Sequence, residues 1–268
     1  MARASASISR RRLVAGCLDG LSILVTGAGG GIGSAAALVL ASHGARLVLT
    51  DVQRAAGEAA TKAVADAGGE AHFVAADLGS EAEIAGLVQA TVDRFGRIDG
   101  AFNNAAVEQS NKPLDEIGID EWDRVIRINL TAVFLCIKYQ ARAMLAQGGG
   151  AIVNTSSSLG QVGLAGASDY CAAKHGVMGL TKAAGADYGA RGIRVNAILP
   201  GITRTPMIQR LSEDPQLASV FDGLRRRHTM NRFGEPSEIG EAAAWLLSPQ
   251  ASFVNGATIA VDGGYLSI

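Results

Sequence analysis

The 268-residue sequence is poor in the residues that carry several kinds of function. It has only three cysteines, Cys17, Cys136 and Cys171, too few for a disulfide framework, so they read as reduced thiols. Its four histidines (His43, His72, His175, His228) share no metal-ligand spacing with one another or with the cysteines, and a zinc site is not expected. No charge sign dominates: 24 Lys+Arg face 25 Asp+Glu, which gives no electrostatic reason for a nucleic-acid or anionic-membrane partner. No apolar run is long enough to span a bilayer. Proline is scarce, six residues, and no Pro/Gly/Ser cluster is long enough for an interdomain linker.

Glycine is abundant, 34 residues, without a collagen period. The glycines stand at the ends of apolar runs, where tight turns and close backbone approaches are needed. Residues 1–17 are different in character. Arg3, Arg10, Arg11 and Arg12 occur with no acid before Asp19. Ser9–Arg12 followed by Leu13–Cys17 imitates an export signal ending in a lipid-attachment cysteine. Its apolar part is about five residues, where a signal needs roughly 7–15. The segment is read as a basic, disordered extension on a cytoplasmic protein; a transit peptide or an over-long start are the other readings.

From residue 18 onward, short β-branched runs alternate with longer Ala-rich helical runs. Strands are predicted at Leu21–Thr26, Ala45–Thr50, Ala71–Ala75, Ile98–Phe102, Ala151–Thr155, Arg194–Leu199 and Thr258–Val261. Helices are predicted at Ile32–His43, Gln53–Ala67, Glu81–Phe95, about Asp120–Ala146, Ser168–Gly189 and Pro236–Leu247. This alternation implies βαβ units and a doubly wound parallel sheet with helices on both faces. Residues 18–268 read as one domain.

Thr26-Gly27-Ala28-Gly29-Gly30-Gly31-Ile32-Gly33 lies between the first strand and the first helix. Glycines there let the backbone turn and approach a pyrophosphate, and the helix aims free N–H groups at it. Asp51 ends the second strand, eighteen residues after Gly33. Such an acid accepts hydrogen bonds from ribose hydroxyls and repels a 2′-phosphate, which predicts NAD(H) over NADP(H). Arg54 is the nearby cation that weighs against this, and Asp51 also suits the cap of the next helix. Asp77-Leu78 and Asn103-Asn104-Ala105-Ala106 follow the third and fourth strands, at strand ends where ligands bind.

Tyr170 and Lys174 are four residues apart on a predicted helix and share a face. A nearby ammonium favours the phenolate, which suits Tyr170 to exchange a proton with an alcohol or carbonyl. Ser157 stands thirteen residues before Tyr170, at a strand end; its hydroxyl can bond a substrate oxygen, and Ser156 and Ser158 are rivals. Asn129 sits in an apolar run inside the long helix, where a buried amide needs partners.

Taken together and in order, Thr26–Gly33, Asn103-Asn104-Ala105, Asn129, Ser157, Tyr170-x-x-x-Lys174, Pro200-Gly201, Ile193-Arg194-Val195-Asn196 and Asn255-Gly256…Val261-Asp262-Gly263-Gly264 resemble the short-chain dehydrogenase/reductases over residues 18–268. The resemblance implies a single-domain Rossmann fold with a seven-stranded parallel sheet. It also implies an Asn129–Ser157–Tyr170–Lys174 tetrad, in which Lys174 also holds the nicotinamide ribose and Asn129 supports a water-linked proton relay. It places the cofactor against Gly27, Gly30, Gly31, Ile32, Gly33, Asp51, Asp77, Leu78, Asn104, Ala105, Tyr170, Lys174, Pro200, Gly201, Thr203 and Thr205. It implies a homotetramer built on two long helices and the C-terminal strand. Ala106 departs from the family's usual glycine.

The family's variable substrate lid falls at about 206–230, where Met207, Ile208, Leu211, Leu217, Val220, Phe221 and Leu224 recur at helical spacing. They suit a helix pair packed on the core and an apolar pocket wall, to which Val162 and Leu164 would add. Arg225-Arg226-Arg227 reads as a solvated face. The segments Gly100–Ala106 and Val133–Gln140 are similar to a subgroup acting on cyclic secondary alcohols and dihydrodiols. The expected function is NAD-dependent oxidation of an apolar cyclic secondary alcohol. The rivals are an NADPH-dependent carbonyl or acyl-thioester reductase, a non-catalytic NAD-binding regulator, and a lyase or epimerase that uses bound NAD transiently.

Overall fold

The first strand, β1 (Ser22–Thr26), is buried along its whole length. A strand buried on both faces belongs in the middle of a sheet covered on both sides. In the computed structural model, which describes residues 16–205, 208–209 and 218–268, β1 pairs in parallel with β2 (Arg46–Thr50) and β4 (Gly100–Asn103). β3 (Glu70–Phe73), β5 (Gly150–Thr155), β6 (Ile193–Pro200) and β7 (Thr258–Val261) complete a seven-stranded parallel sheet, in the order β3-β2-β1-β4-β5-β6-β7. This is the expected Rossmann architecture. β3 begins one residue before the predicted run and is largely open to solvent, as an edge strand is.

Alternation along β1 sorts the core. Ile23 and Val25 face one cluster, packed by α1 (Gly31–Ser42) and α8 (Pro236–Leu247). Leu24 faces the other, packed by α3 (Glu81–Phe95), α5 (Ala132–Gln147) and α6 (Ser168–Tyr188). α2 (Arg54–Asp66) adds Ala60 and Val64 to the first cluster, while α4 (Ile119–Ile126) and α7 (Ala218–Arg226) contribute to neither. α1 and α8 pack closely: a Cβ on Gly240 would come within 3.0 Å of the Ala36 Cα.

The long helix predicted from Asp120 to Ala146 is not regular. A π-helical turn over Arg127–Thr131 separates α4 from α5. Such turns arise where a side chain is better satisfied outside the regular ladder, and Asn129 sits in this one.

Of the basic extension, only Gly16 and Cys17 are described. Cys17 packs against the core and Leu18 is fully buried. Met207, Leu211 and Leu217 of the predicted lid also lie outside the described residues. Among the described residues, no helix is long and apolar enough to cross a membrane, and no cluster could hold a metal ion.

Candidate active site

The carboxyl ends of β1, β2, β4, β5 and β6 open into one cleft of about 800 Å³. All the predicted site residues line it except Gly33 and Asn129. Its two halves are built differently.

On the β1–β2 side the wall is mostly backbone. Gly27 has φ +66°, and a Cβ there would stand 2.7 Å from the Ala105 Cα. A Cβ on Gly33 would stand 2.0 Å from the Gly27 carbonyl oxygen, so Gly33 acts behind the loop, by letting α1 approach it. α1 begins after Gly30 with no side chain capping its first amides, which leaves them to a ligand. The Asp51 carboxylate accepts the Gly29 N–H and the Gln53 N–H, both at 2.9 Å. It therefore props the glycine loop, while Gln53 occupies the cap position of α2. Arg54 is engaged by Glu58 at 3.2 Å. The Asp77 carboxylate accepts the Gly79 N–H at 2.8 Å. The Thr26 hydroxyl accepts the Asn104 and Ala105 N–H groups at 3.0 and 3.1 Å, which joins the ends of β1 and β4. Two hydroxyls on the cleft wall, Thr50 Oγ1 and Thr155 Oγ1, are buried without a partner. A glycine-rich loop, uncapped amides, an acid at the end of β2 and orphaned hydroxyls fit a dinucleotide.

The other half is built of side chains. Tyr170 and Lys174 project from one face of α6. Lys174 is buried; its Nζ donates to the Thr155 carbonyl at 2.9 Å and lies 5.4 Å from the centre of the Tyr170 ring. Burial pulls Lys174 down to about 8. Burial also pushes Tyr170 up to about 12, with a hydrogen bond from Ser157 pulling the other way. The expected phenolate-favouring shift is therefore reversed in this structure, because the cost of burying a phenolate exceeds what its neighbours return. The three serines divide cleanly. Ser156 Oγ is spent on the Lys174 carbonyl at 2.9 Å. Ser157 bonds Tyr170 and accepts the Leu159 N–H at 3.1 Å. Ser158 opens the 3-10 turn that follows.

Asn129 is fully buried and exchanges two hydrogen bonds with the Val107 backbone, both 2.8 Å. Its amide ties the loop after β4 to the π turn and does not reach the cleft, which Ile128 lines instead. Of the lid's apolar face, Ile208, Phe221 and Leu224 line the cleft, as does Leu164; Val220 is exposed. Arg225 and Arg226 are both paired with Asp222, and Arg227 lies over the Tyr265 ring at 4.5 Å.

Sequence reading missed four features. Asn103, quoted from the sequence only as part of a strand-end motif, forms with Gln140 and Asn154 a buried amide ladder under the cleft at 2.7–3.0 Å, extended to Thr181 at 3.0 Å. The buried His228 accepts the Ile202 N–H at Nε2 (3.1 Å), so its Nδ1 carries the proton and donates to the Leu224 carbonyl (3.0 Å); this pins α7 to the segment after β6. Tyr265, near the C-terminus, reaches the cleft wall. The buried Asp169 binds Ser110 across 59 positions of sequence. None carries a local sequence signal beyond its position beside a predicted site residue.

Residues 27–266 match a family model described as enoyl-(acyl carrier protein) reductase. The chain is 46% identical over 252 residues to a 2,5-dichloro-2,5-cyclohexadiene-1,4-diol dehydrogenase of Sphingobium indicum, covering 94% of this chain and 99% of that protein. It is 41% identical over 244 residues to a cyclohexanol dehydrogenase of Acinetobacter sp., covering 91% and 94%. Among solved structures, a levodione reductase, also known from Leifsonia aquatica, superposes with a TM-score of 0.89 at 40% identity, over 93% of this chain and 99% of that one.

Proposed function

Because the chain belongs to the short-chain dehydrogenase/reductase family, enzymes that use a nicotinamide cofactor to interconvert alcohols and carbonyls, we propose that it is an NAD-dependent dehydrogenase of apolar, cyclic secondary alcohols. The observation that carries this reading is the Ser157–Tyr170–Lys174 cluster in one cleft, beside a loop suited to a dinucleotide. Gly27, Gly30, Gly31, Ile32, Asp51, Asp77, Leu78, Asn104, Ala105, Pro200, Gly201, Thr203 and Thr205 would hold the cofactor, with Gly33 behind them. When bound, it would supply a hydride acceptor and a positive charge.

The chain's own residues do the rest. Ser157 orients the alcohol oxygen by a hydrogen bond. Tyr170 takes the hydroxyl proton. That step requires the phenolate to be worth more than it is in the described cleft, and positive charge is what lowers a phenol's pKa. Lys174 is held at Thr155 within reach of that role, and, lowered only to about 8, it still carries its charge at neutral pH. Asn129 acts at one remove, by fixing the loop that starts at Ala105. Apolar side chains on the substrate side, Leu159, Leu164, Ile202, Ile208, Phe221 and Leu224, favour a hydrocarbon ring, and the names of the relatives support the same choice.

NAD rather than NADP is supported by Asp51 and by the pairing of Arg54 with Glu58. The reading takes residues 18–268 as one catalytic unit with a lid at 206–230, cytoplasmic and assembled as a homotetramer; light scattering after gel filtration tests the assembly. The test of function is formation of reduced cofactor with cyclic and acyclic secondary alcohols, NAD and NADP in parallel, and Tyr170→Phe as control. NAD-specific turnover of cyclic alcohols that vanishes in the variant is expected. Activity confined to charged acids or acyl carriers would overturn the substrate class.

A further inference from the structure

We propose that Asp169 and Ser110 form a latch that holds the substrate-side loop after β4 against the helix carrying Tyr170, and that Asp169 is a positioning residue for substrate binding. Asp169 is fully buried in the first turn of α6. One carboxylate oxygen accepts both the Ser110 N–H, at 3.0 Å, and the Ser110 hydroxyl. The other accepts the N–H of Tyr170 at 2.7 Å. A buried carboxylate needs such donors, and the opening amides of a helix supply one without any cation. Tyr170 and Ser110 are thus joined through a single side chain.

The residues on either side of Ser110 face the cleft: Val107, Glu108, Gln109 and Asn111 all line it. Asn111 is in the left-handed region, φ +57°, where a side chain is held only if its surroundings dictate it. It abuts Gly166, itself at φ +77°, on the segment leading into α6. At its other end the loop is held by Asn129 through Val107. Arg124 also donates to the Glu108 carbonyl at 3.1 Å and Lys112 pairs with Glu121 at 2.7 Å; of these ties, Asp169 is the one that joins the loop to the reacting tyrosine. Losing it leaves the cofactor half untouched but lets the substrate wall move relative to Tyr170.

This inference rests on the dehydrogenase reading for its kinetic arm alone. The experiment compares Ser110→Ala, Asp169→Asn and the double variant by steady-state kinetics on the alcohol that the wild type oxidises, by NADH binding, and by amide hydrogen exchange. Ser110→Ala is expected to raise KM about threefold to tenfold, the effect of one lost hydrogen bond. Its kcat should stay within twofold and NADH affinity should not change. Exchange should quicken at residues 107–111. Asp169→Asn should raise KM further, and the double variant should be no worse than Asp169→Asn. An unchanged KM together with unchanged exchange in Ser110→Ala would overturn the latch. So would equal losses in kcat, NADH affinity and melting temperature. The exchange arm needs no substrate, so a wild type inactive on every alcohol would sink the dehydrogenase reading while leaving the latch to be judged by exchange.

Discussion

The two halves of the cleft confine a ligand by opposite means. On the β1–β2 side the wall is main chain, and each key position is defined by a side chain that cannot be there: 2.7 Å of clearance at Gly27 and 2.0 Å at Gly33. On the α6 side the wall is side chains, on loops that a few buried polar groups hold in place. Asn129 holds Val107, Asp169 holds Ser110, and His228 holds Ile202. The backbone half leaves no room for a side chain at Gly27 or Gly33. The side-chain half can be altered piece by piece, so substrate choice can drift while the cofactor site stays fixed.

Substitutions at the seam and on each side break or sharpen that contrast. The largest effect is expected from Tyr170→Phe, which removes the proposed proton acceptor at the junction. Its kcat should fall by about 10³-fold with NADH affinity nearly unchanged, as measured by fluorescence titration beside turnover. Gly33→Ala should weaken NADH about 100-fold, since backbone must shift to admit the methyl. Circular dichroism would check that the sheet survives. Asp51→Ser should cut the preference for NAD over NADP about tenfold, read as the ratio of kcat/KM values. On the other side, Phe221→Ala should change KM among ring sizes about threefold and leave NADH binding alone. A Phe221 variant that weakened NADH as much as Gly33→Ala would erase the distinction between the halves.

The smallest effect concerns stability. Burial lowers Lys174 to about 8, whereas in an unfolded chain it keeps its proton to about 10.5. Between those values the unfolded state binds more protons, so stability rises with pH. Tyr170, raised to about 12 from 10.0, acts in the opposite sense above pH 10. Melting temperature should therefore climb from pH 8 toward 10. Lys174→Met should flatten that climb and raise the melting temperature at pH 7 by about 3–8 °C.

The contrast also explains what could be read without coordinates. The backbone half was legible because glycines at strand ends are a local signal, and strand alternation located the ends. Tyr170 and Lys174 were legible because four-residue spacing on a helix is local too. The direction of the Tyr170 shift was not, because it depends on how much water the assembled cleft excludes. Nor was the role of Asn129: the family resemblance suggested a site residue, but only the π turn shows its amide turned to Val107. Asp169 had no signal because its partner lies 59 residues away and the pairing exists only once the β4 loop folds over α6. The edge strand β3 begins one residue and ends two residues before the predicted limits, because it buries too little for its apolar pattern to specify them.

The strand order has a consequence for synthesis. β1 is made well before β4, the central strand of the sheet, which it meets 77 residues further on in the pairing Ile23 with Gly100. The inner face of α1 waits longer still, for α8, which closes only at Leu247. At roughly 5–20 residues per second, a nascent chain carries its most apolar strand and helix uncovered for about 10–40 s before the last partner emerges. Demand on holding chaperones should therefore track elongation rate, and slow codons after β5 should cost soluble yield more than slow codons before it.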